Sequence, residues 1–249
     1  MSQSPEASQR AEILAAQAAK AAIIVDMDNV PTLDLLASLV KGLCDIVGFF
    51  RVGSVLCTQF GAPLAVGTIE DSGGKAFLDL KYLDDPETVG KAVSQAAKLG
   101  VDLISVHAAG GLEMLQAAVQ NQGKSRVLAA MPSLVSQKSA QVYGKYTEAV
   151  TLNLSGLASD AKCDGIICQP DVLPRVHHLT TLKAATGIET GMASDGRSLS
   201  SPFGAIKAGA NFLIIDRTPA APHVVGGGSK ERFRAIVREI QAAQSLQRV

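Results

Sequence analysis

Phe77-Leu78-Asp79-Leu80-Lys81-Tyr82-Leu83-Asp84-Asp85-Pro86 carries the feature that decides the fold: an apolar strand that ends in charge. Residues two apart on a strand face the same side, so Asp79 and Lys81 are predicted to project together from its C-terminal end. Asp84 then falls in the turn that follows. A lysine flanked by carboxylates keeps its proton, because opposite charge outweighs the cost of desolvation. It is then an ammonium placed to deliver a proton to carbon.

Outward from this strand, short apolar runs recur at residues 21–25, 46–52, 76–80, 103–107, 126–131, 165–168, 181–186 and 211–215. Between them lie segments with helical spacing, such as 86–99 (Val89, Val93, Ala96, Ala97) and 111–120 (Leu112, Leu115, Ala118, Val119). Strand and helix alternate, which implies parallel strands joined by crossover helices. Eight strands also suit an open doubly wound sheet, and the polar residues separate the two. Asp26, Arg51, Asp79, His107, Ser133 and Arg217 fall at or just beyond the C-terminal ends of six strands, and in a closed barrel those ends converge on one site. No GxGxxG follows the first strand, so the dinucleotide-binding alternative loses its main support. The expected fold class is α/β, a single (β/α)8 TIM barrel over residues 21–249, with residues 1–20 as an N-terminal extension or helix.

Residues 136–161 are read as one or two helices on the barrel's outside, with Tyr143, Tyr146, Val150 and Leu154 near helical spacing. Residues 187–201 are rich in Gly and Ser and form a candidate lid loop. A second flexible loop is expected at 220–228. Phe233, Ile236 and Ile240 mark a closing amphipathic helix over 230–244.

With 249 residues, 47% of them hydrophobic, the chain can bury a large core. Its 23 basic residues balance its 23 acidic ones, which leaves no surplus to attract nucleic acid or an anionic membrane. Cys44, Cys57, Cys163 and Cys168 form no CxxC pair and have no local His cluster, so a metal site is not expected. The polar, Ala-rich N-terminus has no signal-peptide core and no 18-residue apolar run occurs, so a cytoplasmic location is expected.

Asp-x-Lys-x-x-Asp after the third strand, followed by Pro86 and Thr88, resembles the signature of the orotidine 5'-phosphate decarboxylase family. Val25-Asp26-Met27-Asp28-Asn29 is similar to that family's first-strand segment, and Val106-His107-Ala108-Ala109-Gly110-Gly111 to its His-Ala-Ser-Gly-Gly run. The resemblance spans roughly residues 20 to 222 and implies pyrimidine biosynthesis: decarboxylation of a nucleotide monophosphate with no metal or organic cofactor. It implies Asp79, Lys81, Asp84 and Arg51 as the catalytic charge network. Asp26 and Asn29 would face the ribose, Ser133 the pyrimidine and Arg217 the phosphate. Asp84 and Thr88 would reach a neighbouring subunit's site, which implies a homodimer with shared active sites.

Each residue also has a plainer reading. Asp79 and Lys81 could be an ion pair at a barrel rim, Asp28-Asn29 a turn or helix cap, and His107 a satisfied strand-end histidine. Ser133 could cap a helix, and Arg217 could belong to a surface ion pair. The sequence departs from the family's pattern in places as well. Arg51 stands where the family usually has lysine, Gly187-Ile188-Glu189-Thr190 replaces Gly-Ile-Arg-Pro, and the usual Gln position falls at Gly196. Asp216 precedes Arg217 where the family has glycine, and a carboxylate there opposes a phosphate by ~1–4 kcal/mol, depending on exposure. Three functions stay open on these residues: orotidine 5'-phosphate decarboxylation, a paralogous decarboxylase or lyase acting on another small acid, and a non-catalytic barrel serving in binding or assembly.

Overall fold

The computed structural model describes residues 5–131, 143–190, 198–215 and 227–247. Strands β1 (Ile23–Asp26), β2 (Phe49–Val52), β3 (Ala76–Tyr82), β4 (Leu103–His107), β5 (Arg126–Ala130), β6 (Gly165–Cys168), β7 (Leu182–Ala185) and β8 (Phe212–Ile215) each pair in parallel with the next. β8 pairs with β1 and closes the barrel. Chain direction and closure together put all eight C-terminal ends at one mouth.

Alternation along the strands divides the apolar residues between two cores. Ile24, Phe49, Phe77, Leu103, Leu128, Ala130, Ile167, Ala184, Phe212 and Ile214 fill the barrel interior. Their neighbours Val25, Phe50, Leu78, Ile104, Val127, Ile166 and Leu213 point outward and pack beneath the helices. Stepping two residues from Ile24, Phe49 and Phe77 toward the mouth reaches Asp26, Arg51 and Asp79. The same face that packs the barrel therefore presents its charges at the top.

The helices are α1 (Pro5–Ala21), α2 (Leu33–Leu43), α3 (Ser54–Phe60), α4 (Ala62–Asp71), α5 (Pro86–Lys98), α6 (Gly111–Gln120), α7 (Thr147–Asp160), α8 (Pro202–Lys207) and α9 (Gly227–Gln247). Local chemistry fixes several of their starts. The Thr32 side chain accepts from the amide of Leu35, Asp85 from that of Thr88 and Ser201 from that of Gly204, and Pro86 and Pro202 stand in the first turns of α5 and α8. Residues 5–21, read as an extension or helix, form α1, which packs against α9.

Candidate active site

Asp26 ends β1, and the turn after it brings Asp28 back over the mouth, its amide donating to Asp26 Oδ1 at 3.0 Å. Arg51, one residue before the end of β2, reaches across three carboxylates. Its Nη1 lies 2.7 Å from Asp26 Oδ1 and 3.3 Å from Asp28 Oδ2, and its Nε donates to Asp79 Oδ2. Lys81 Nζ donates to the same Asp79 oxygen at 2.8 Å. Asp79 thus lies between two cations, with its side chain only 3% exposed.

The electrostatics follow from this packing. Burial works to raise the Asp79 carboxyl, but Arg51 and then Lys81 hold it below the usual carboxylate range. For Arg51, burial opposes the charge, yet Asp79 and Asp26 keep the guanidinium firmly protonated. Asp26 is shifted the other way: burial raises its carboxyl above the ordinary value, and Arg51 offsets this only in part.

The pairing of Asp79 with Lys81 does not arise from an unbroken pleat, as the two-residue spacing suggested. β3 pairs in register with β4 as far as Leu78 opposite Ile104, and pairing resumes only at Tyr82 opposite Val106, so Asp79, Leu80 and Lys81 stand opposite Ser105 alone. Lys81 takes up the excess with a left-handed φ of 51°, a conformation that costs a non-glycine residue about 1–2 kcal/mol. Its amide donates to the Ser105 hydroxyl at 2.8 Å. A bulge, held by a buried serine on the next strand, turns the ammonium back onto Asp79.

Two members of this cluster were missed in the sequence. Ser105 carries a legible signal, since it lies two residues before His107 on the inward face of β4. Asp28 carries none, because its partners are Arg51 and the amide of Leu56, both distant in sequence. His107 Nδ1 accepts from the Ala109 amide at 3.1 Å, which leaves the ring proton on Nε2. Burial first, and the charge of Lys81 second, lower its pKa and favour the neutral ring.

Three of the remaining candidates are exposed. Asn29 is exposed in the turn after β1. Asp84 and Thr88 are exposed beyond β3, Asp84 accepting from the Asp85 amide and Thr88 donating through both its amide and hydroxyl to Asp85. Ser133, Gly196, Asp216 and Arg217 lie outside the described residues. The two described ends of the candidate lid are tied together by the Glu189 amide, which donates to Ser200 O at 2.9 Å, and Thr190 bonds Arg232 of α9. Among the described residues no group of three or more His, Cys, Asp or Glu side chains is arranged to hold a metal ion.

Residues 22–218 match the model of the orotidine 5'-phosphate decarboxylase / HUMPS family. The chain belongs to this family. Relatives named orotidine 5'-phosphate decarboxylase include a protein of Pelobacter propionicus, 34% identical over 209 residues, which are 78% of this chain and 85% of that one. Another, from Citrifermentans bemidjiense, is 36% identical over 213 residues, 79% of this chain and 86% of the relative. The crystal structure of orotidine 5'-phosphate decarboxylase from Lactobacillus acidophilus matches with a TM-score of 0.71 at 25% identity, covering 88% of this chain and 98% of that one. One from Pyrococcus horikoshii, at 19% identity and a TM-score of 0.69, speaks for the fold alone.

Proposed function

We propose that the protein decarboxylates orotidine 5'-phosphate to uridine 5'-phosphate without a cofactor, with Lys81 as the proton donor. The observation that carries this reading is the line Arg51–Asp79–Lys81: a buried carboxylate held ionised between two cations at the mouth of a barrel of this family. The substrate carboxylate would lie near Asp79. The bond from ring carbon to carboxylate breaks, carbon dioxide leaves, and the electron pair stays on the ring carbon. Lys81 Nζ gives that carbon a proton and is reprotonated from solvent. Asp26 and Asn29 would bind the ribose, Ser133 the pyrimidine and Arg217 the phosphate. The test is loss of ultraviolet absorbance as orotidine 5'-phosphate is consumed. No turnover, together with binding of a different small acid in a thermal-shift screen, would replace this reading with the paralogue.

Asp216 and Glu189 motivate that second reading, because both put negative charge where a phosphate grip is expected. If the phosphate sits at the end of β8, Arg217→Ala is expected to weaken uridine 5'-phosphate binding by about 10–100-fold, the scale of lost charge-assisted hydrogen bonds. Asp216→Gly is expected to tighten it by removing a like charge. Calorimetric titration of both variants and the parent at one ionic strength makes the comparison, and unchanged affinity in both would place the phosphate elsewhere.

The assembly we propose is a homodimer with shared sites. Exposed apolar side chains of Val55 (53%), Leu83 (56%) and Leu112 (37%) follow β2, β3 and β4, three adjacent strands, and Asp84 and Thr88 are exposed on the same edge. A second copy would cover this apolar edge and receive Asp84 and Thr88 in its own site. An inactive Lys81→Ala chain mixed with an inactive Asp84→Ala chain is then expected to regain about a quarter of parental activity under statistical exchange, since about half the molecules are heterodimers with one intact site of two. No recovery under demonstrated subunit exchange would count against shared sites.

A further inference from the structure

Asp28 is a buried carboxylate, 9% exposed, that the proposed chemistry does not use. Its Oδ2 accepts from Arg51 Nη1 at 3.3 Å, and its Oδ1 accepts from the amide of Leu56 at 3.1 Å. Leu56 is the third residue of α3. The N-cap of that helix is Gly53, which has no side chain to offer its open amides, so Asp28 supplies from the β1 turn the acceptor that a cap would normally provide. Gly53 in turn makes room for the contact. A Cβ at that position would lie 2.2 Å from Asp28 Oδ2 and 2.8 Å from Arg51 Nη2, while its φ of −100° is open to any residue, so space alone demands glycine.

A guanidinium presents donors in a rigid fork, whereas a lysine gathers its donors on one nitrogen. Only the fork can send Nε to Asp79 while Nη1 serves Asp26 and Asp28. Two carboxylates would leave the fork free to pivot about the Asp79 contact, and the third, itself anchored to α3, removes that freedom. We propose that Asp28 is a positioning residue that locks the Arg51 guanidinium between Asp26 and Asp79. The inference rests on the proposed roles of Asp26 at the ribose and Asp79 beside the proton donor.

Asp28→Asn tests it, because the amide oxygen still receives the Leu56 amide while the charge is lost. A loosened guanidinium misplaces Asp79, and turnover of orotidine 5'-phosphate is expected to fall by about 30-fold, within the loss that a misplacement of about 1 Å can bring. Because Asp28 acts through Arg51, the same substitution in an Arg51→Lys background is expected to cost under about 3-fold, the signature of coupled residues. The acid limb of kcat/KM is expected to move, because the substitution disturbs two charges that face Asp26. Asp26 faces Arg51 from β2 and Asp28 from its own turn, with Asp79 and Lys81 beyond Arg51; the Asp28 charge that is removed raises its carboxyl, and the Arg51 charge that is loosened lowers it.

Parental turnover with an unmoved acid limb in Asp28→Asn, or equal losses in both backgrounds, overturns the lock. Should Asp28→Asn fail to fold, Gly53→Ala intrudes on the same contact from the other side and is expected to give the same loss. Its parental turnover would equally overturn the proposal. A readout without substrate separates this inference from the decarboxylase reading: the Arg51 Nε–H resonance, identified by its absence in Arg51→Lys. Its hydrogen exchange is expected to quicken about 10-fold in Asp28→Asn as the buried bond to Asp79 opens more often. If the parent does not turn over orotidine 5'-phosphate, the decarboxylase reading fails, and unchanged exchange at that nitrogen would still overturn the lock.

Discussion

Lys81→Ala is expected to abolish decarboxylation, lowering kcat by at least about 10³-fold, while the protein stays folded. Two losses combine. A positioned proton donor contributes on the order of 10²–10⁴-fold, and the ammonium beside the developing carbanion adds electrostatic stabilisation of similar scale. The fold should tolerate the change because the Lys81 side chain is 28% exposed, Asp79 keeps Arg51, and the bond to the Ser105 hydroxyl comes from the backbone amide of residue 81, not its side chain. Alanine meets the same left-handed strain at φ 51° as lysine does. Lys81→Arg separates the two contributions. A guanidinium keeps the charge but does not release its proton near neutral pH, so this variant is also expected to be inactive if proton delivery is what matters. Stopped-flow absorbance with excess substrate, alongside circular dichroism of each variant, provides the measurement, and a folded Lys81→Ala protein with parental kcat would end the assignment.

The barrel itself was largely legible in the sequence because its signals are local. β4 and β6 lie at the residues that their apolar runs mark, as does α6. Asp26, Arg51 and Asp79 could be placed at strand ends without coordinates, since the pleat sets which face each residue occupies. What escaped is what a strand's period cannot record. The bulge at Asp79–Lys81 depends on how β3 pairs with β4, and a run such as Asp-Leu-Lys-Tyr carries no mark of two extra residues. β3 consequently runs on to Tyr82, past the apolar run ending at Leu80. Asp28 escaped for a related reason. An Asp-Asn pair after a strand reads as a turn, and its role depends on Arg51 and Leu56, which only barrel closure brings near. The strand parity that placed Asp79 would have placed Ser105 as well, had β4 been followed inward from His107.

Arg51 matters beyond its contacts, because it is one of the two cations that set the charge balance of the mouth. Asp26, Asp28 and Asp79 bring three negative charges and Arg51 and Lys81 two positive ones, so the cluster carries an excess of one negative charge when all five are ionised. Burial, with a smaller push from the Asp28 charge, raises the Asp26 carboxyl, whereas Asp79 stays ionised between its two cations. The arrangement assigns the two strand-end carboxylates different work. Asp79 remains a fixed charge beside Lys81, and Asp26 is the more readily protonated of the two.

Arg51→Ala is expected to destabilise the fold by about 3–5 kcal/mol at pH 7.5, the cost of stranding buried charge when one partner of a buried pair is removed. Asp79 is the main source, at 3% exposure, and Lys81 alone would remain to neutralise it. The dependence on pH distinguishes this cause from lost packing. In the parent the Asp79 carboxyl is depressed below its unfolded value, so its contribution is present above the unfolded pKa and is lost as pH falls through the lower folded one. Without Arg51, burial, already the largest single influence, loses its strongest opponent and the carboxyl rises, so the variant's fold is penalised at neutral pH and relieved as Asp79 takes up a proton. The stability gap between parent and variant should therefore be widest near neutrality and narrow as pH falls through about 4, the ordinary range of an aspartate. Urea unfolding of both proteins at pH 7.5 and at pH 4.0 tests this. A gap that is the same at both pH values would mean that Arg51 stabilises by packing, and that Asp79 does not depend on it for its charge.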